Sequence, residues 1–145
     1  YKRLKPNFDA PVYVSWSSNS NRSALLRIPT ERNNQIRLEL RSPDSATNPY
    51  LCIAMLIYSI LDGLESSMEL EDAINENMYS GKNYNIKKLP DTLSEAIDEF
   101  ESSNFVKEKL GTQIFNEYIE AKKIEWNEFN NAITDWEIKK YLERF

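Results

Sequence analysis

The sequence is poor in the features that build a disulfide framework, a zinc site or a membrane span. Its 145 residues include one cysteine, Cys52, and no histidine. A single cysteine gives neither a disulfide nor a zinc-type spacing, which suits a reducing cytoplasm. The longest apolar run, residues 51–57, is far shorter than the roughly 20 residues that cross a bilayer. No signal-peptide pattern opens the chain. We therefore expect a cytoplasmic protein without a membrane partner.

The composition is that of a folded domain. Apolar residues make up 41% of the chain and aromatic residues 12%, which argues against disorder. The first residue is Tyr1 rather than methionine, and it lies in a predicted strand or loop. We therefore expect the sequence to be a truncated piece of a longer protein.

Charge is distributed unevenly along the chain. Residues 1–41 hold eight basic and three acidic residues, a net charge of +5, whereas residues 42–145 hold ten and twenty, a net charge of −10. Six of the seven arginines lie in the first segment. The guanidinium fork matches carboxylates and phosphates, so this segment is predicted to bind small anions. The acidic remainder and a pI near 4.9 argue against nucleic acid.

The hydrophobic pattern predicts strands first and helices afterwards. Residues 12–16 and 36–41 alternate with the period of a strand, and residues 23–28 form a shorter β-compatible run. Asn48 is a predicted N-cap, Pro49 the first helical residue and Gly63 the end of that helix.

Residues 51–61 are apolar nearly all round, so this first helix is predicted to be buried on most faces. Capping boxes open two later helices at Thr92 and Thr134, and Gly111 interrupts the helical stretch between them. The prediction is an α+β fold with antiparallel strands followed by four or five helices. It comprises a strand-rich active-site segment, residues 1–41, and a helical segment, residues 48–145.

Two groups of charged residues are candidate sites. Arg37, Glu39 and Arg41 are predicted to share one strand face, about 7 Å apart at each step. They form either a structural ion-pair ladder or a site in which the glutamate holds a hard cation and an arginine its anion. Arg22 and Arg27 flank an apolar run and need partners, which the chain's own carboxylates supply in the simpler interpretation.

Short motifs along the chain occur together in a distinctive order. They are YKRL at Tyr1, APV at Ala10, WS at Trp16, NRSALLRIP at Asn21, RLELRSPD at Arg37, NPYL at Asn48, LDG at Leu61, LPDTLSEAIDEF at Leu89, EAKKIEW at Glu120 and TDWEIKKYLERF at Thr134. In order and spacing this set resembles class I, bacterial-type glutamine synthetase, over nearly the whole chain. The resemblance implies the C-terminal part of that family's catalytic domain.

The resemblance also implies a reaction and the residues that serve it. Glutamate is phosphorylated by ATP on its side-chain carboxylate, and ammonium supplies the ammonia that displaces the phosphate. Arg3, Arg22 and Arg41 are implied to bind glutamate. Arg22 and Arg27 are implied to bind ATP phosphates, and Glu39 to bind Mg²⁺ or Mn²⁺. Asp9, Arg22 and Arg41 are the implied catalytic residues. Positioning and well-placed cations are what phosphoryl transfer requires.

The sequence departs from the family pattern in three places. Asp9 stands where the family has a glutamate that shields the acyl-phosphate and takes a proton from ammonium. Its side chain is roughly 1.3 Å shorter, a change that can cost up to about 100-fold in rate. The loop of residues 17–22 is one residue longer than usual, and the connector of residues 77–89 is shorter. Tyr79 lies near the family's adenylylated tyrosine but in a poorly matching context, so we expect an ordinary loop tyrosine.

Parts of the family's site are missing from the sequence. The family's metal cluster uses a histidine and several further glutamates, and a small N-terminal domain completes each site across subunits. The resemblance therefore implies an isolated chain without activity and a full-length homo-oligomer, two stacked rings of six. Two alternatives stay open: a γ-glutamyl-amine ligase of the same family, and a non-catalytic binding or assembly module derived from it.

Overall fold

The computed structural model describes residue 4 and residues 9–19, 21–29, 37–80, 85–142 and 144. The chain divides into two compact units, Tyr1–Thr92 and Leu93–Phe145. The first unit contains the strands, the first helix and the polar connector after it, and the second contains helices.

The first unit is built on a three-stranded sheet. Its strands are β1 (Tyr13–Ser17), β2 (Ala24–Arg27) and β3 (Glu39–Leu40), in the order β1-β2-β3. β2 pairs antiparallel with β3, as predicted, but β1 pairs parallel with β2. The α+β class is confirmed, whereas the parallel β1–β2 pair corrects the expectation of antiparallel strands.

The parallel pair forms because the chain folds back along β1 before β2 begins. The Val12 N–H donates to the Ser23 carbonyl at 3.2 Å, which places the start of β2 beside the start of β1. Such a connection normally takes a dozen residues or more. Here the connection is shorter, and asparagine side chains bond locally on both sides of it: the carboxamide oxygen of Asn19 accepts from the Asn21 N–H at 2.8 Å, and that of Asn21 from the Ser23 N–H at 3.0 Å.

The connector that follows the first helix lies along the other edge of β1. The Trp16 carbonyl accepts from the Ile74 N–H at 2.9 Å, and the Val14 N–H donates to the Lys87 carbonyl at 2.8 Å. The core of this unit is small. Its buried members are Val12, Tyr13, Ala24 and Met78, with Ile74, Tyr79 and Ile86 packed against them.

Helix α1 (Pro49–Glu65) begins as predicted. The Asn48 side chain accepts from the N–H groups of Tyr50 and Leu51, at 3.0 and 3.2 Å. The helix runs two residues past Gly63 and is capped at Ser66, so the predicted end was too early. The predicted burial was also wrong, because no residue of α1 is buried. The apolar pattern specifies that the helix needs a covering layer, but not that this chain provides it.

The second unit consists of four helices, α2 (Leu93–Ser102), α3 (Asn104–Leu110), α4 (Thr112–Asn131) and α5 (Asp135–Tyr141). Gly111, with φ of 75°, separates α3 from α4 as predicted. The predicted capping box at Thr134 is present. With α1, the described residues contain five α-helices, within the expected number. Among the described helices, none combines the length and apolarity that crossing a membrane requires.

A cluster of apolar side chains holds α2, α3 and α4 together. Ile97, Phe115 and Ile119 are buried, and Leu93, Phe100, Val106 and Trp126 pack around them. Phe100 stacks on Phe115 with ring centroids 5.6 Å apart. This apolar packing is the ordinary source of stability for amphipathic helices.

Candidate functional site

Glu39 lies between two arginines at the edge of the sheet. Arg27 is directly opposite it in the β2–β3 pair, and the Nε and Nη2 atoms of Arg27 lie 2.7 and 2.6 Å from Glu39 Oε2. Arg37 Nε lies 2.9 Å from Glu39 Oε1. Each carboxylate oxygen therefore has a guanidinium partner, and the pair with Arg27 is half-buried. The predicted Arg37–Glu39 contact exists, and Arg27 joins it from the neighbouring strand.

The environment keeps Glu39 ionised. Partial desolvation raises the pKa of the carboxyl group, but the hydrogen bond from Arg37 and the positive charge of Arg27 outweigh it. The net result is a pKa below the ordinary value of 4.5. An ionised carboxylate at neutral pH is what both an ion pair and a metal ligand require.

Asp9, Arg22 and Arg41 come together from three separate segments. Arg22 Nη1 lies 3.3 Å from Asp9 Oδ2. Arg41 reaches the backbone of both partners, because its Nη1 donates to the Arg22 carbonyl and its Nη2 to the Asp9 carbonyl, the latter at 3.1 Å. We call these residues the Asp9–Arg22–Arg41 cluster. All three were predicted as catalytic residues, and the fold brings them into contact.

The cluster is open to solvent on the side of its ion pair. The side chains of Arg22 and Asp9 are 61% and 72% exposed. An exposed pair of this kind contributes about 0–1 kcal/mol, so a bound anion can replace Asp9 as the partner of Arg22 at little cost. Asp9 has φ of 54°, a left-handed conformation that aspartate tolerates better than most residues because its short side chain bonds locally.

Polar residues outside the predicted site hold the Arg22 loop in place. The Asn21 carboxamide donates to the carbonyls of Ile74 and Glu76, at 3.0 and 2.8 Å. The Asn75 carboxamide oxygen accepts from the hydroxyl of Ser17 at 2.9 Å and from the N–H of Ser18 at 3.1 Å. The concentration of asparagine and serine in residues 17–23 was the available signal, but it does not reveal that the partner segment is some 55 residues away in sequence.

The remaining predicted site residues are placed as follows. Arg27 and Glu39 contact each other next to Arg37, as described above. Arg3 lies outside the described residues, so its implied role as a glutamate ligand stays a prediction. Tyr79, expected to be an ordinary loop tyrosine, places its hydroxyl 2.7 Å from the Ala10 carbonyl.

The donor set around Glu39 does not by itself fit a Mg²⁺ site. Mg²⁺ takes six oxygen ligands, and Glu39 provides one carboxylate that is shared between two arginines. Within the described part of the chain, no three acidic or cysteine side chains come together as a possible metal site. Glu39 can therefore serve only as one ligand of a site that other residues complete.

A small mixed sheet with an arginine-rich edge, followed by helices, defines this chain as part of an α+β domain. A family model described as the catalytic domain of glutamine synthetase matches residues 1–141. The chain therefore belongs to the glutamine synthetase family.

Curated relatives agree with this assignment. The glutamine synthetase of Methanosarcina mazei is 44% identical over 98% of this chain, and that of Thermotoga maritima is 42% identical over 98%. In both cases the match covers 33% of the relative. The chain thus spans about a third of the length of the curated relatives it matches.

Solved structures share the fold. A ligand-free structure of GmaS is 30% identical, with a TM-score of 0.76 over 94% of this chain and 31% of that chain. The electron-microscopy structure of Plasmodium falciparum glutamine synthetase has a TM-score of 0.74 over 96% of this chain and 36% of that chain, at 21% identity, and supports the fold alone.

Proposed function

We propose that the full-length protein containing this chain is an ATP-dependent glutamate–ammonia ligase. In this reaction a glutamate side-chain oxygen attacks the terminal phosphorus of ATP, and ADP leaves. Ammonia then attacks the carbonyl carbon of the γ-glutamyl phosphate, phosphate leaves, and glutamine forms. The observation that carries the proposal is the Asp9–Arg22–Arg41 cluster, in which the Arg22 guanidinium pairs with the Asp9 carboxylate and the Arg41 guanidinium donates to the backbone carbonyls of both residues.

The arginines suit the charges of this reaction. Arg22 faces solvent beside Asp9 and can turn to a substrate carboxylate or a transferring phosphoryl group. Arg41 is held by two backbone carbonyls, which fix its position before substrate binds. Fixed positive charge on the developing negative charge is the main protein contribution to phosphoryl transfer. We assign glutamate binding to Arg3, Arg22 and Arg41, and ATP binding to Arg22 and Arg27.

Glu39 is proposed to supply one ligand to the divalent cation, Mg²⁺ or Mn²⁺, that accompanies ATP. The cation would neutralise charge on the nucleotide phosphates. Glu39 is paired with Arg27, so a cation bound to Glu39 would compete with this ion pair. The guanidinium of Arg27, once released from Glu39, could then contact a phosphate. The remaining ligands would come from outside this chain, which spans 33% of the Methanosarcina mazei relative.

Asp9 is proposed to take the proton that ammonium must lose before it attacks. Its carboxylate is 72% exposed and lies beside Arg22, so a small substrate can reach it, which supports this role. A general base must come within about 3 Å of the proton it accepts. The short side chain of Asp9 leaves more room at this point than a glutamate would. This observation favours a second candidate, a ligase of the same family that accepts a small primary amine.

The proposal is tested by steady-state assays of the full-length protein with ammonium and with methylamine or ethylamine, at matched ATP and Mg²⁺. We expect ammonium to be preferred and Asp9→Ala to lower amide formation by up to about 100-fold. We also expect it to raise the phosphate released per amide, because water then competes for the acyl-phosphate. Asp9→Asn is the matched control, since it keeps the size and the left-handed backbone but removes the basic oxygen.

Each possible result of these assays decides a different point. Preference for the primary amine would select the second candidate. If Asp9→Ala changes neither the turnover nor the phosphate released per amide, Asp9 has no part in the mechanism. We also propose that the full-length protein is a cytoplasmic homo-oligomer, which light scattering after size exclusion would test, and that residues 1–145 alone form no glutamine.

A further inference from the structure

Tyr79 connects the two halves of the Asp9–Arg22–Arg41 cluster. Its hydroxyl oxygen lies 2.7 Å from the carbonyl of Ala10, the residue after Asp9, and 3.4 Å from the carbonyl of Arg22. A phenol has one proton to donate, and 2.7 Å is the usual length of an O–H···O hydrogen bond whereas 3.4 Å is beyond it. Tyr79 therefore donates to Ala10 and lies beside Arg22.

The tyrosine is itself firmly placed. It belongs to a 3₁₀ turn, Met78–Ser80, whose first residue, Met78, is buried in the core of the first unit. The Met78 N–H donates to the Ser23 hydroxyl at 3.0 Å, and the Tyr79 N–H to the Asn77 carboxamide oxygen at 2.9 Å. The Tyr79 side chain packs against the same core.

The segment that carries Tyr79 is attached to the loop that carries Arg22. Asn21, directly before Arg22, donates to two carbonyls of this segment, those of Ile74 and Glu76. The Arg22 side and the Tyr79 side of the site are thus fixed to each other. The hydroxyl of Tyr79 extends this attachment to the Asp9 side, in addition to the connection that Arg41 makes between Arg22 and Asp9.

We propose that Tyr79 is a positioning residue that sets the placement of the Asp9 carboxylate relative to Arg22. Asp9 is exposed, so few contacts of its own side chain hold it. Holding the next carbonyl, that of Ala10, restricts where Asp9 can lie. The inference rests on the proposed ligase function, in which Asp9 must meet both ammonium and the acyl-phosphate.

The test is Tyr79→Phe in the full-length protein, because this change removes the hydroxyl and keeps the ring that packs on the core. A misplacement of about 1 Å can cost about 100-fold. We expect a smaller loss, about tenfold in kcat, with less than a twofold change in the KM for glutamate and more phosphate released per amide. Hydrogen exchange at the amide of Val12 and neighbouring residues should rise. Tyr58→Phe, on α1, is the matched control and should change none of these quantities.

The outcomes separate this inference from the proposed function. If the unaltered protein forms no amide from glutamate, the ligase proposal fails, and hydrogen exchange still tests the Tyr79 contact. If the protein is active and Tyr79→Phe has the same kcat, the same phosphate release per amide and the same amide hydrogen exchange, the positioning role is overturned. A Tyr79→Ala loss that Tyr79→Phe does not share would assign the residue to packing alone, which also overturns it.

Discussion

Each of the two units is stabilised internally by a different kind of interaction. In the second unit, Ile97, Phe115 and Ile119 are buried among other apolar side chains, and none of the proposed site residues takes part. In the first unit the apolar core is small, and the site residues themselves make the cross-connections, as Arg41 does to two loops. This difference implies that a substitution at the site changes both the chemistry and the local structure, whereas a substitution in the second unit changes stability alone.

Arg41→Ala is the strongest test of this difference. In the full-length protein we expect a loss of about 10³-fold in turnover, the lower range for an arginine that stabilises a phosphoryl-transfer transition state. Arg41 donates to the carbonyls of Asp9 and Arg22, so the substitution should also loosen both loops. Rates per folded molecule, with the folded fraction measured by circular dichroism, separate the two effects.

Arg41→Lys is the informative companion. It keeps the charge but not the fork that reaches two carbonyls, so it should recover only a small part of the rate. Normal specific activity per folded molecule in an unfolding-prone Arg41→Ala variant would show that the Arg41 contacts are purely structural.

Phe115→Ala should have the next largest effect, on stability rather than on chemistry. Phe115 is 4% exposed and stacks on Phe100, so its truncation should lower the free energy of unfolding of the second unit by about 3–5 kcal/mol. Ile114→Ala, at the adjacent and 48% exposed position, is the matched control and should cost much less. Both stability losses are measured by urea unfolding, monitored through the hydrogen exchange of α4 amides. Equal losses at the two positions would contradict the core assignment.

The parts of the fold that depend on local signals were predictable from sequence. Asn48 caps α1, Gly111 separates two helices, and Thr134 forms a capping box, because each effect involves only residues within one turn. The parallel pairing of β1 with β2 was not predictable in this way. The loop that joins these strands is also bonded through Asn21 to carbonyls more than 50 residues further along the chain, which no local pattern reveals.

The candidate site shows the same division. The resemblance to a known family named Asp9, Arg22 and Arg41, and the fold brings them into contact. The partner of Glu39 on β2, Arg27, is twelve residues away in sequence and follows from the antiparallel register, which the alternation of side chains alone does not fix. The contact of Tyr79, which we expected to be an ordinary loop tyrosine, was not predictable for the same reason, since its hydroxyl bonds to a carbonyl 69 residues earlier.

The smallest expected effect is on the pH dependence of stability, and it is tested by comparing one carboxylate from each unit. Glu39 and Glu137 both have pKa values below the ordinary 4.5. A carboxyl group whose pKa is lowered by folding contributes stability above its unfolded pKa, and this contribution is lost as the pH falls through the folded value. Each group should therefore add to the loss of stability below about pH 4.5. For Glu39, the free energy of unfolding should change by at most about 1.4 kcal/mol per pH unit, which corresponds to the uptake of one proton.

The causes of the two shifts differ, and salt should separate them. Partial desolvation opposes the shift of Glu39, which depends on the hydrogen bond from Arg37 and the charge of Arg27, whereas Glu137 is shifted by hydrogen bonds from the backbone and side chain of Thr134. Raising NaCl from about 0.01 M to 1 M shortens the Debye length from about 30 to 3 Å and weakens only the charge interaction. In carboxyl-resolved NMR titrations we therefore expect salt to raise the pKa of Glu39 towards 4.5 and to leave that of Glu137 nearly unchanged, while Thr134→Ala should raise only the pKa of Glu137. Equal salt responses at the two glutamates would mean that charge does not distinguish the first unit from the second, and that the arginines around Glu39 act through hydrogen bonds alone.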